Sequence, residues 1–237
     1  MIPAEYDEIR PYLPEELPQV FEELIADPEF QAAMGYAFQG MPFEQIAAAM
    51  RASKTNLEFQ KALVYPFIKG VIQKLSSGIT MSYDNKEHMA KSLCISNHRD
   101  IIMDSAFLCI VFVETVGNTV EIAIGDNLLI YPWIKTLVRL NRSFIVTRKG
   151  GMREILQSSM RLSAYMHYVI AEKRAPIWIA QREGRSKDST DHTQESLLKM
   201  FAMGGEGTPA ERLMSLNLAP LAITYEYDPC DWLKAME

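Results

Sequence analysis

The chain has 237 residues, 48% hydrophobic and 23% charged, and a net charge of −6. That is enough apolar material for a sizeable core in one domain or somewhat more. An acidic balance with no dense Lys/Arg stripe excludes nucleic acid as a partner. The three cysteines, Cys94, Cys109 and Cys230, are odd in number and far apart, which argues for reduced thiols in a cytoplasmic protein and against a disulfide framework. Met1-Ile2-Pro3-Ala4-Glu5 lacks the basic region of a signal peptide. No apolar run approaches the roughly 20 residues needed to span a bilayer.

Residues 1–77 read as a helical subdomain. Pro14-Glu15-Glu16-Leu17 resembles a helix start, with a proline early and acids in the first turn. Asp27-Pro28-Glu29 repeats that signal ahead of Phe30, Met34 and Phe38 at helical spacing. A third helical stretch begins at Pro42-Phe43-Glu44 and carries Ile46, Met50, Leu57, Leu63, Phe67, Val71 and Leu75. It is too long to be uninterrupted, and Pro66 is expected to break or kink it. The Met and Phe stripe suits core packing, with a lipid-facing surface as the alternative.

From Gly78 short β-rich runs alternate with helical ones. Strands are expected at Ile79–Tyr83, Ser92–Ser96, Val120–Ile124, Ser143–Thr147, Ile177–Gln181 and Leu221–Tyr225. Helices are expected at Ile101–Val113, Tyr131–Leu140, Met152–Ala171 and Thr193–Met203. This alternation predicts an α/β domain over residues 78–237, with a mostly parallel sheet flanked by helices and sites at the carboxyl ends of its strands. The last residues, Lys234-Ala235-Met236-Glu237, read as the start of a helix, so further C-terminal residues are expected.

Four blocks fall at predicted strand ends. In the first, Asn97-His98-Arg99-Asp100-Ile101-Ile102-Met103-Asp104-Ser105, a His and two Asp lie between a buried strand and a buried helix. An imidazole held there by a carboxylate has the makings of a general base; Asp100 suits the helix N-cap equally well. The second block, Phe144 to Gly151, ends in Arg148-Lys149-Gly150-Gly151 before a helix start. Paired glycines, free N–H groups and the neighbouring Lys135, Arg139, Arg142 and Arg153 fit a phosphate or carboxylate pocket, or scattered surface charge. In the third, the apolar run Ile177–Ala180 leads into Glu183-Gly184-Arg185-Ser186, where a glycine turn would project Glu183 and Arg185. The fourth, Leu218 to Cys230, is a strand ending in a turn, and by itself suits a core strand.

In this order the four blocks resemble those of the glycerolipid acyltransferase family, which includes the glycerol-3-phosphate and lysophosphatidate acyltransferases. Asn97-His98-Arg99 with Asp104 is similar to its His, four residues, Asp block; Phe144-Ile145 with Arg148 to its second; Glu183-Gly184-Arg185-Ser186 to a Glu-Gly-Thr-Arg-Ser block lacking the Thr; Pro220 to Ile223 to its fourth. Residues 78–230 carry the likeness, which extends to a group of bacterial acyltransferases with a His-Arg-Asp-Ile-x-x-Asp-Ser block. Two departures stand out. Five residues separate His98 from Asp104, so Asp100 is an alternative partner, and the missing Thr alters the acceptor pocket.

The resemblance implies a glycerol-3-phosphate acyltransferase-like fold and transfer of a fatty acyl group from acyl-CoA or acyl-carrier protein to a hydroxyl of a glycerol phosphate or lysophospholipid. His98 would act as base and Asp104 would orient it, with backbone N–H groups at the following helix start facing the oxyanion. Substrate-binding roles fall to Asn97, Arg99, Arg148, Lys149, Glu183, Gly184, Arg185 and Ser186, with Arg148 and Arg185 on an acceptor phosphate. No metal or cofactor is required beyond the acyl donor as co-substrate. Expected partners are that donor, a lipid or glycerol phosphate acceptor, and the inner face of the cell membrane, touched peripherally. Tyr131-Pro132-Trp133-Ile134-Lys135 suits either such an interface or a core helix start. Acylation of a lyso-amino-acid lipid, thioester hydrolysis and lipid binding without catalysis are the alternatives.

Overall fold

The computed structural model describes residues 2–182, 184–186 and 191–236. Its elements run α1 (Leu17–Ala26), α2 (Pro28–Ala37), α3 (Phe43–Ala52), α4 (Asn56–Phe59), α5 (Tyr65–Leu75), α6 (Lys86–Met89), β1 (Leu93–Ser96), α7 (Met103–Val116) and β2 (Glu121–Gly125). They continue with α8 (Pro132–Leu140), β3 (Ser143–Val146), α9 (Met152–Tyr168), β4 (Ile177–Ala180), α10 (Glu195–Phe201), α11 (Pro209–Ser215), β5 (Leu218–Leu221) and α12 (Asp231–Met236). The chain divides into two compact units, one of residues 7–80 with 124–145, the other of residues 1–6, 81–123 and 146–237.

The first unit is built on α1–α5 and α8. Asp27 closes α1 and opens α2: its carboxylate accepts from the N–H groups of Glu29 and Phe30 at 2.8 and 3.0 Å, and Pro28 takes the first helical position. Leu17, Val20, Phe21 and Leu24 of α1 pack with Phe30, Ile46, Met50, Phe59, Leu63 and Leu140 in one core, so much of the Met and Phe stripe is core packing. The long third helical stretch breaks at Ser53, and Thr55 caps α4 through the N–H of Glu58. A π-helical turn, Gln60–Val64, then leads into α5. Pro66 lies in the first turn of α5, where its ring has no room for an α-helical carbonyl at residue 62.

The segment containing α8 belongs to this unit because its helix end is tied there. Asn56 Nδ2 donates to the carbonyl of Leu140 at 3.0 Å and Gln60 Nε2 to that of Asn141 at 3.2 Å, which satisfies carbonyls the helix leaves open. Arg139 donates to the carbonyls of Arg10 and Asp7 at 2.8 and 2.7 Å and stacks 4.1 Å over Tyr12. It is therefore buried structure, not part of a basic pocket with Arg148. Trp133 likewise packs on Phe30 at 6.1 Å between ring centroids, which makes it a core residue at a helix start.

The sheet has five parallel strands in the order β3-β2-β4-β1-β5, of which β1, β4 and β5 lie wholly in the second unit. β1 sits between β4 and β5, with Cys94 opposite Trp178 and Ala219. Ile122, Trp178, Cys94 and Ala219 thus form a row across one face, and Leu108 and Phe112 of α7 cover it. Burial pushes the Cys94 thiol up to about 12, so it is an inert packing group here. Among the described residues no group of His, Cys, Asp and Glu is arranged to hold a metal, and no helix is long and apolar enough to cross a membrane.

Several elements differ from the sequence reading, the short helix α6 among them. Ile79–Tyr83 is not a strand: it is irregular and mostly exposed, and the sheet has no row for it. The last strand starts three residues early, at Leu218, because its pairing with Leu93–Ser96 ends at Leu221; Pro220 is tolerated because β5 is an edge. A helix absent from the reading, α11, starts with Thr208-Pro209-Ala210-Glu211, where Thr208 and Glu211 cap each other's backbone.

Gly204, after α10, lies against α9, where a Cβ would come within 2.7–2.9 Å of the Ser163 and Ala164 backbone. Its N–H also donates to Ser163 Oγ at 2.8 Å. Gly204→Ala should cost about 1–3 kcal/mol through overpacking, read as a lower urea midpoint; an unchanged midpoint would mean that the α9 backbone yields freely.

Candidate functional site

The site is built from the turn between β1 and α7. Ser96 ends the strand, its carbonyl accepting the N–H of Gln181 at 2.7 Å beside β4. The next residues leave the sheet at its carboxyl edge, where parallel strands expose backbone and side chains to a ligand. His98 lies here with its side chain 12% exposed, and its ring meets the edge of Trp178 at 5.9 Å between centroids.

Imidazole Nδ1 lies 2.9 Å from Asp104 Oδ2, on the first turn of α7. With Asp104 ionised, Nδ1 carries the proton and Nε2 keeps its lone pair. Asp104 is fully buried, which would push its carboxyl up. Hydrogen bonds from His98, from the Tyr225 phenol and from the N–H groups of Asp100 and Arg99 outweigh that and hold it below the ordinary carboxylate range. The N–H groups of Arg99 and Asp100 reach Oδ2 at 2.7 and 3.0 Å, while Tyr225 donates to Oδ1 at 2.7 Å.

The extra residue between His98 and Asp104 is absorbed in this turn. Asp100 accepts from the N–H groups of Ile102 and Met103 at 2.9 and 2.8 Å. It caps the approach to α7, and Asp104 is the carboxylate in contact with the imidazole. The N–H groups of Arg99, Asp100, Ile102 and Met103 already have acceptors in these carboxylates.

The third and fourth blocks converge on the first. Gly184, with φ +69° in the left-handed region, turns the chain so that the N–H of buried Ser186 donates to the His98 carbonyl at 2.7 Å. Arg185 is half-buried beside it, and Glu183 lies outside the described residues. Beyond β5, both ends of the Asn97 carboxamide are bound to Ile223: Nδ2 donates to its carbonyl at 2.8 Å and Oδ1 accepts its N–H at 2.7 Å. Arg99 binds Asp191 at 2.6 Å, and its carbonyl accepts from Lys234 Nζ.

The second block stands apart. Arg148 and Lys149 follow β3, three strand spacings from β1, or roughly 14 Å across the sheet. Arg148 is half-buried and Lys149 exposed. The glycine pair does not leave the helix start open, because Glu154 reaches back to the Gly151 N–H at 2.7 Å.

Next to Asn97 and Arg99 is a cavity of about 570 Å³, also lined by Gln181, Asp191, Tyr225 and Glu226. It has the size of a small-molecule site. Sequence reasoning missed Tyr225 as part of this site, and Trp178 as the wall behind His98. Neither carries a local signal, since Tyr225 lies 121 positions from the carboxylate it binds.

The family model described as Acyltransferase matches residues 79–205, more than half of the chain. No curated protein is similar enough to the chain to count as a match.

Asp104 gives a pH signature. A carboxylate held below its unfolded value, about 4, contributes stability that is complete above that value and is lost as pH falls through the folded one. Unfolding by urea between pH 6 and pH 3 should therefore show a falling midpoint, with a shallower fall in Asp104→Asn. Equal slopes in the two proteins would assign the acid sensitivity to other carboxylates.

Proposed function

The chain belongs to the glycerolipid acyltransferase family, and from that premise we propose that it moves a fatty acyl group from acyl-CoA or acyl-carrier protein to a hydroxyl of a glycerol phosphate or lysophospholipid. The observation carrying this reading is the buried, multiply bonded Asp104 behind His98 at a strand end. His98 Nε2 takes the acceptor hydroxyl's proton as its oxygen attacks the thioester carbonyl carbon. The tetrahedral intermediate collapses with loss of the C–S bond. The leaving thiolate receives the proton from the imidazolium, giving an ester and a free thiol, and Asp104 stabilises the imidazolium in between.

Ile101 and Ile102, both exposed in the turn beside His98, offer apolar contact to an acyl chain or a bilayer surface, in keeping with peripheral action at the inner face of the membrane. Arg148 and Arg185 hold the acceptor phosphate, with Lys149 adding charge, while Glu183 and Gly184 shape the acceptor site. Asn97, Arg99 and Ser186 fix the turn through the bonds already described.

One observation favours a second acceptor. The cavity beside Arg99 carries Asp191, Glu226 and Asp228. Arg99 and Lys234 bind two of these, and Glu226 has no ion-pair partner among the described residues. That charge suits a cationic headgroup, such as a lyso-amino-acid lipid, better than a second phosphate.

Palmitoyl-CoA with a panel of phosphate and amino-acid lipid acceptors tests both readings through thiol release and lipid products. Acceptor-dependent release of thiol, lost in folded His98→Ala, is the expected result. Thiol release without any acceptor would make the protein a thioesterase, and turnover surviving in His98→Ala would remove the base. Arg185→Ala should raise the KM of a phosphate acceptor about tenfold; an unchanged KM would take Arg185 out of the acceptor site.

A further inference from the structure

Tyr225 is held from three directions. Two residues upstream, the Asn97 carboxamide grips both backbone groups of Ile223. Its ring packs against Phe107 of α7 at 6.1 Å between centroids. Its hydroxyl donates to Asp104 Oδ1 at 2.7 Å, opposite the oxygen that meets His98. The segment after β5 thus continues past the sheet and lays a phenol on the far side of the buried carboxylate. Tyr225 lies beyond the residues matched to the family, 79–205.

We propose that Tyr225 is a positioning residue of the site, its hydroxyl fixing the Asp104 carboxylate so that Oδ2 stays aimed at His98 Nδ1; this rests on the reading of His98 as the base. Oδ2 is held by two backbone N–H groups as well as the imidazole, so without a donor on Oδ1 the carboxylate can still tilt about Oδ2. A donor on Oδ1 removes that freedom and draws charge toward itself, which tempers the grip of Oδ2 on the imidazole proton. Burial and the bond to Asp104 push the phenol far above the ordinary tyrosine range, with Asp100 and Asp228 adding to the push, so it remains a neutral donor throughout the working pH range. Asp228 is itself bound by Lys234 at 2.6 Å. Charged and titratable groups near the pair among the described residues include Asp100, Asp228 with Lys234 behind it, and, lining the same cavity as Tyr225, Arg99, Asp191 and Glu226.

Tyr225→Phe keeps the ring against Phe107 and removes only the hydroxyl. Two readouts separate positioning from packing. The His98 imidazole is titrated by NMR in both proteins, its signal among the four histidines assigned by its loss in His98→Ala. Acyl transfer from palmitoyl-CoA is followed over pH with the same acceptor panel. With the donor gone the carboxylate holds a proton on the pair more tightly, so the imidazole midpoint and the acid limb of kcat both move to higher pH. The value of kcat falls about tenfold, and both KM values stay within about twofold.

A wild-type protein that transfers acyl groups, alongside a Tyr225→Phe protein with the same kcat, pH profile and imidazole midpoint, would overturn the positioning role and leave the transferase standing. A wild-type protein silent toward every acceptor, with the midpoint still raised in Tyr225→Phe, would keep the positioning role and reject the transferase. Silence with an unmoved midpoint would reject both.

Discussion

The site depends on a single buried carboxylate and the donors gathered around it. Asp104 is inaccessible to solvent, and an ionised group in that position is costly unless hydrogen bonds replace its water. Two backbone N–H groups, an imidazole and a phenol do so. Each donor comes from a segment that must then hold its place: the backbone of the turn after β1, the His98 side chain, and the chain beyond β5. The need to satisfy one charge thus fixes three parts of the unit.

The sheet makes this arrangement attainable. β1 lies between β4 and β5, so the turn carrying His98 has a strand end on either side. From β4 come Trp178 behind the ring and, farther along, the N–H of Ser186 on the His98 carbonyl. From β5 comes the extended segment that Asn97 grips in place of a further strand pairing. β3 is at the opposite edge, so Arg148 follows a strand three spacings from the one that leads to His98.

The same logic of satisfied polar groups governs the helical unit. Arg139 and α8 read from sequence as neighbours of the basic second block. The carbonyls of Asp7, Arg10, Leu140 and Asn141 all needed or offered partners, and Arg139, Asn56 and Gln60 meet them. Charge counted along the chain did not distinguish a buried arginine bound to carbonyls from one facing a ligand.

The sequence by itself determined the local structure and the chemistry's first half. Short β-rich runs and helical spacing placed β1–β4 and α7–α9 to within a few residues, Asp27-Pro28 announced a helix start, and His98 between two core segments stood out as a candidate base. These signals depend on neighbours a few positions apart, which a chain displays without folding. Only the tertiary structure decided that Asp104, and not Asp100, faces the imidazole, since that depends on how the six-residue turn between β1 and α7 closes. It also decided that Ile79–Tyr83 has no strand partner, that β5 begins at Leu218, that Arg139 is interior, and that Tyr225 completes the carboxylate's shell. Each of these is a contact or a missing contact between segments far apart in sequence. Pairing of that kind is set by which buried groups remain unsatisfied after the local elements have formed, and no local pattern encodes it.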